Sequence, residues 1–423
     1  MTLSGPEDYD PRVIEAHETV IVGGGQAGLA LSYHLARRGR EHVILERGRV
    51  AERWRSARWD SLAFQFPSWS IHLPGYAYET ADPEGFAPRD AVVAFLERYR
   101  DLIRAPLRTG VSVHALRHRP GSSRFLLDTD AGTFEAASVV VATGPYQEPA
   151  PLPASATLSR GLFQTHSSGY RNPAALPPGA VLVVGSGASG CQIAEDLAEA
   201  GRRVYLSVGR HRRMPRRYRG RDVFWWLDQM GGRMGGLDQT VDERPARRLP
   251  NPLVTGAGGG HDIDIRGYVA AGMTLLGRLR GAREGALALA DDLEAELARG
   301  DAGRAAFMRA VDEHVAETGL DAPPPDPSAQ EATRSVPPPP LELDLRAAGI
   351  TSVVWATGFR HNFGWIRLPV LDEAGDPVHR RGITRCPGLY FLGLTWLWKL
   401  KSSVLCGVGE DAAYLAEHIA ARA

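Results

Sequence analysis

The chain has 423 residues, 43% of them hydrophobic, with 49 acidic and 49 basic side chains. That length supports a large core in two domains, or one domain with a second inserted, and the balanced charge gives no ground for a nucleic-acid or anionic-membrane partner. Cys191, Cys386 and Cys406 lie far apart and form no CxxC pair, which argues against a redox dithiol or a zinc site and suits a reducing cytosol.

In chain order, residues 1–17 carry several acids and no signal-peptide core, and they read as a tail. Residues 19–47, TVIVGGGQAGLALSYHLARRGREHVILER, then give a strand, a glycine turn, a helix and a second strand ending on an acid. Gly23 allows the tight turn, Gly25 lets backbone approach a pyrophosphate, and Gly28 lets helix and strand pack closely, so amides at the helix start face phosphate. Glu46 falls where an acid reaches a ribose hydroxyl, and it would repel a 2′-phosphate, so this unit is expected to hold FAD or NAD and not NADP.

The stretch 49–78 sets Trp54, Trp59, Phe64, Phe66, Trp69, Tyr76 and Tyr78 among arginines and turn residues, a composition suited to covering a flat aromatic ligand or to pinning an irregular loop. Residues 89–103 have helical apolar spacing. Residues 111–116 and 124–127 alternate as strands of a small antiparallel layer, and 137–144, ASVVVATG, is a buried strand ending in a turn. The proline-rich residues 149–153 open a linker.

At 180–190 the pattern starts again, AVLVVGSGASG, with Gly185, Gly187 and Gly190 in the same spacing. After the next strand no acid follows; Gly209, Arg210, His211, Arg212 and Arg213 do. Guanidinium forks onto phosphate oxygens, so this second unit is expected to take NADPH. Within 220–340, residues 224–227 (FWWL) read as a pocket wall or a domain contact, 256–268 as a glycine-rich loop leading into a helix, and 291–318 as a polar amphipathic helix. His261 with Asp262 and Asp264 lacks a further ligand at convincing spacing, so no metal is expected. Residues 350–358, ITSVVWATG, repeat the strand ending in Ala-Thr-Gly, and 402–418 form a turn and a closing helix. The expected fold is α/β, with two Rossmann-type units and the NADP unit inserted into the FAD unit. The FAD unit is 18–148 plus 341–423, the linker 149–177, and the NADPH unit 178–340 with a helical insertion. No run reaches about 18 uninterrupted apolar residues, so an unanchored cytoplasmic protein is expected. A homodimer stays open.

Two dinucleotide units, the ATG turns at Thr143 and Thr357 and the aromatic segment after Glu46 together resemble the class B flavoprotein monooxygenases, and within them bacterial flavin-containing monooxygenase-like and YUCCA-like oxidoreductases. Gly161, His166 and Tyr170 correspond in part to the fingerprint these enzymes carry between their domains; Ser159 stands where they have phenylalanine. The resemblance implies FAD on Gly23, Gly25, Gln26, Ala27, Gly28, Glu46 and Arg47, beside Trp54 and Arg55, and against Val113, Thr143, Gly144, Gly393 and Leu405. It implies NADPH on Gly185, Ser186, Gly187, Ser189, Gly190 and Arg210, with Thr357 and Gly358. It also implies that NADPH reduces FAD, that oxygen adds to give a C4a-hydroperoxyflavin, and that a small organic substrate is oxygenated at nitrogen or sulfur. Gln65, Ser68 and Trp396 are the candidates beside the reacting oxygen. The alternatives are Baeyer–Villiger oxygenation of a ketone, an NADPH oxidase, and a noncatalytic redox sensor. A flavin disulfide reductase is set aside because no cysteine pair is present.

Overall fold

The computed structural model describes residues 14–158, 161–231, 251–283, 285–325 and 334–422. Its first half builds β1 (Ile14–Val22), α1 (Gln26–Ala36), β2 (His42–Glu46), α2 (Glu52–Ser56), α3 (Arg89–Leu102), β3 (Leu107–Thr109), β4 (Val113–His118), β5 (Phe125–Thr129) and β6 (Gly132–Val141). β1 runs parallel between β2 and β6, with Ile21 opposite both Ile44 and Val140. Val20, Ile21, Ile44, Val139 and Val140 are buried, which is why these strands read as continuous apolar runs. β4 and β5 add the expected antiparallel layer on β6.

The second unit contains β7 (Phe163–His166), β8 (Ala180–Val184), α4 (Ala188–Glu199), β9 (Val204–Ser207), α5 (Val223–Gln229), β10 (Thr274–Leu276), α6 (Leu293–Thr318) and β11 (Ile350–Trp355). Its five strands form one parallel sheet in the order β7-β11-β8-β9-β10. The chain ends in β12 (Leu389–Phe391), parallel to β6 in the first sheet, and α7 (Leu405–Arg422), which packs on α1. Among the described residues no helix is long and apolar enough to cross a membrane.

The boundaries differ from the sequence expectation in four places. β1 starts at Ile14, inside the expected tail. The expected linker 149–177 supplies β7, an edge strand of the second sheet. The strand 350–355, expected in the FAD unit, pairs with β8 (Val183 opposite Val354) and lies in the second sheet. The chain therefore returns near residue 358, where Phe359–Arg360 pairs antiparallel with Glu148–Pro149, so the exit and re-entry strands lie side by side. Two buried parallel strands that both end in Ala-Thr-Gly carry the same apolar pattern, and nothing in that pattern says which sheet each enters. Finally, 256–268 forms no α-helix: Gly258, Gly259 and Gly260 all take positive φ, and two 3-10 turns flank a short bridge from His261–Asp262 to Pro252–Thr255.

The aromatic segment joins the two units. Trp54, Phe64 and Phe66 follow ring on ring at 5.7 and 5.3 Å, and Phe66 stacks on Phe224 of α5 at 3.8 Å. The buried Arg216–Asp222 pair (2.6 Å) lies beside that stack, and Arg216 also donates to the Gln65 carbonyl at 2.8 Å. The FWWL stretch is thus a domain contact: Phe224, Trp226 and Leu227 are buried with Met214, Tyr218 and Phe307. The proline-rich residues 322–340, whose composition reads as a connector, fall partly outside the described set.

Candidate cofactor and active site

Both glycine turns have the shape that their residues require. Gly23 sits at φ +116° and Gly185 at φ +107°, and each amide donates to the neighbouring strand, to Leu45 and Ser207 carbonyls at 2.8 and 3.0 Å. A Cβ on Gly28 would lie 2.0 Å from the Gly23 carbonyl oxygen, and one on Gly190 would lie 1.8 Å from that of Gly185. A Cβ on Gly25 or Gly187 would meet nothing within 4 Å. Each turn is therefore closed where helix meets strand and open at the helix start, the side where unpaired amides face a phosphate.

Glu46 is held in place at the mouth of the first turn. One carboxylate oxygen accepts from the Gly24 amide and the other from the Gly48 amide, both at 2.8 Å, and each keeps lone-pair capacity for a hydroxyl. In the second unit the equivalent strand position is the buried, apolar Val208, and the next residue, Gly209, is tied to the turn by reciprocal bonds with the Ser186 hydroxyl at 3.0 and 3.1 Å.

A single cavity of about 990 Å³ runs from one turn to the other. Of the expected FAD contacts it is lined by Gly23, Gly25, Gln26, Ala27, Glu46, Arg47, Trp54, Val113, Thr143, Gly144, Gly393 and Leu405; of the nucleotide contacts by Gly187, Ser189 and Gly358. Gln26 also fastens α1 to the start of α7, its side-chain amide donating to the Ser403 carbonyl at 3.0 Å. Gly28, Gly185, Ser186 and Gly190 shape the turns from beneath. The Thr357 hydroxyl donates to the Ala150 carbonyl at 2.7 Å, fixing the crossing strands.

Four of the expected residues do not line the cavity. Arg55 points away from the cavity and pairs with Glu97. Arg210 is exposed, and its place at the wall is taken by Arg212. Ser68 is buried in a 3-10 turn with its amide on the Gly85 carbonyl (2.8 Å), and Trp396 is buried at φ +55°; neither lines the cavity. Gln65 does line it, with its side-chain amide donating to the Pro252 carbonyl at 2.7 Å.

The cavity also brings in residues that the sequence reading missed, among them Arg53, Arg58, Tyr146, Gln147, Asn251, Phe359 and Trp365. Tyr146 and Gln147 directly follow the first ATG turn, which was the available signal. Its acids are all engaged: Glu46 on the amides above, Glu52 on Arg49, and Glu148 on Arg360 and Asn362. Partial burial lowers the pKa of the Arg53, Arg58 and Arg212 guanidiniums. No cysteine lines the cavity, and burial pushes the Cys191 thiol up.

An acid-tipped glycine turn, a second turn without the acid but with an arginine nearby, and one shared cavity define a fold with two dinucleotide-type sites facing one another. The matches with known proteins agree. Residues 20–226 fit the family described as pyridine nucleotide-disulphide oxidoreductase. An oxidoreductase named CzcO-like from Geobacillus kaustophilus is 32% identical over 406 residues, covering 95% of this chain and 98% of the relative. The chain belongs to this CzcO-like oxidoreductase family. A flavin-containing monooxygenase from Stenotrophomonas maltophilia shares the fold (TM-score 0.65, 18% identity, 96% of this chain and 99% of that one). So does an ornithine N-hydroxylase from Kutzneria sp. 744, solved with reduced FAD, NADP+ and L-ornithine (TM-score 0.62, 17% identity, 96% and 100%).

Proposed function

We propose that the protein uses NADPH and FAD to insert one atom of O2 into a small organic substrate at nitrogen or sulfur, releasing the other as water. The observation that carries this is the single cavity opening onto both glycine turns, lined among the described residues by no cysteine and by no unengaged carboxylate. Bound FAD supplies the redox and oxygen chemistry. The chain's own residues hold the two dinucleotides on one axis, and the Phe64–Phe66 wall and Gln65 bound the space left for substrate while excluding water. A soft nitrogen or sulfur needs no general base, in keeping with acids that are already committed to amides and arginines.

Arg212 is the residue proposed for the 2′-phosphate. It lies on the cavity wall with its Nη1 buried and lacking a hydrogen-bond partner, as a group awaiting an anion would be. The ornithine hydroxylase likeness supports nitrogen as the reacting atom through fold alone. The test is NADPH-dependent oxygen uptake with a panel of amines and thioethers, with product identified by mass. Substrate-independent conversion of all oxygen to peroxide would make the protein an oxidase instead. An Arg212→Gln variant should raise the KM for NADPH about 10- to 100-fold and leave that for NADH within about twofold, the loss expected for one charge-assisted contact.

A further inference from the structure

Resting on the proposed nucleotide arrangement, we infer that Arg58, from the FAD side of the crevice, closes over the pyrophosphate of the nicotinamide nucleotide and clamps it against the second glycine turn.

Arg58 lies on residues 56–62, between α2 and the aromatic wall, and this segment is moored to the second unit. Trp59 is buried in the second unit's core. The Asp60 amide donates to the Arg171 carbonyl at 2.8 Å and its carboxylate accepts from Asn172 at 2.7 Å; the Ser61 hydroxyl donates to Asp196 of α4 at 2.6 Å. The segment carrying Arg58 is therefore fixed on α4 at Asp196, about two turns from the open end, where Gly187, Ala188 and Ser189 line the same cavity as Arg58.

Its side chain is held from the other unit. The guanidinium lies over Trp54 at 5.7 Å and over Tyr146 at 5.5 Å, and Asn251 donates to the Tyr146 hydroxyl at 3.4 Å. Among the described residues it makes no ion pair, and its one hydrogen bond is from Nη1 to the Ala57 carbonyl at 2.9 Å. A half-buried cation without a counter-charge is incompletely compensated, and two aromatic faces offset only part of that. The ligand that completes the site is an anion, and a planar fork fits oxygens of a diphosphate. The FAD diphosphate is already served by the first turn around Gly25, whereas the mooring of 56–62 directs Arg58 to the second.

This assignment separates two arginines by what they read. Pyrophosphate is common to NADP+ and NAD+, and the 2′-phosphate is not. In calorimetric titrations of the FAD-loaded protein, Arg58→Gln should weaken NADP+ and NAD+ by the same factor, on the order of 30-fold, while Arg212→Gln weakens NADP+ alone. Arg58→Lys should recover part of the loss for both. FAD content and the flavin spectrum of each variant, equal to wild type, certify that it has folded. Unchanged affinity of Arg58→Gln for both nucleotides overturns the inference, and a raised substrate KM in that case would assign Arg58 to a substrate carboxylate. Loss of FAD from Arg58→Gln would likewise overturn it, placing the contact on the flavin nucleotide. Wild-type protein that binds neither nucleotide would instead sink the proposed function itself.

Discussion

At the scale of single residues, the site depends on a few charges whose partners are backbone amides or a ligand. Glu46→Ala leaves the Gly24 and Gly48 amides without their acceptor and removes the ribose contact. Charge-assisted bonds contribute about 1.5–3 kcal/mol each, so FAD affinity should fall at least about 10-fold, measured as flavin retained after dialysis. Glu46 lies on the cavity wall at the end of its strand, where the sequence pattern expects an acid. The arginine of the second unit was not legible in that way. The sequence placed guanidiniums throughout 209–213 and pointed to Arg210, but Arg212 and Arg213 form a short strand paired with Pro252 and Leu253, and neighbours on a strand face opposite ways. Arg213 turns to Asp264 and Asp301 (3.3 and 2.5 Å), and Arg212 turns to the cavity. That pairing partner lies some 40 residues further along the chain, so local pattern could not choose between them. Ser68 is buried in a short turn that its neighbour closes, the Ser70 hydroxyl donating to the Pro67 carbonyl at 2.7 Å.

At the scale of elements, the turns tolerate no side chain where helix meets strand. Gly190→Ala would push a methyl into the Gly185 carbonyl, a backbone atom that cannot step aside. Overpacking of this kind costs about 1–3 kcal/mol, and it should abolish the flavin spectral change on adding NADP+ while leaving FAD bound at wild-type stoichiometry. The strands and both turns were readable because buried parallel strands are unbroken apolar runs. Sheet membership was not, as β11 shows. The contact made by α5 was half readable: its aromatics announced burial, and the partner Phe66 did not. Arg216→Ala would leave Asp222 buried and unpaired and free the Gln65 carbonyl; breaking a buried pair costs about 3–5 kcal/mol, and thermal unfolding should begin markedly earlier.

At the scale of the whole molecule, stability should be sensitive to mild acid. His42 is buried with its ring between the Ser32 hydroxyl (2.8 Å) and the Arg40 carbonyl (3.0 Å), His166 bridges Ser168 and the Gly358 carbonyl (3.0 and 2.9 Å), and His211 meets the Gly209 carbonyl (3.0 Å). Burial lowers the pKa of all three from the ordinary 6.5. The unfolded chain therefore binds these protons first as pH falls. Stability is fully present above about pH 6.5 and declines as pH drops through the lowered values. The melting temperature should be level from pH 8 to 7 and fall from about pH 6.5 downward, before the carboxylates begin to protonate; a level curve to pH 5 would refute this. His166 and His211 lie at the crossing strands and at the second turn, so the loss should reach the nucleotide unit as well as the FAD unit.

Anaerobic mixing of the FAD-bound protein with NADPH or NADH, followed by flavin absorbance, tests most directly whether the shared cavity brings the two dinucleotides into reaction. The account predicts that NADPH bleaches the flavin at least about 10-fold faster than NADH at equal low concentration, and that NADP+ stays with the protein through gel filtration. Equal rates with both nucleotides would remove Arg212 from its assigned role, and no bleaching by either would contradict the claim that this cavity is the active site of an NADPH-dependent enzyme.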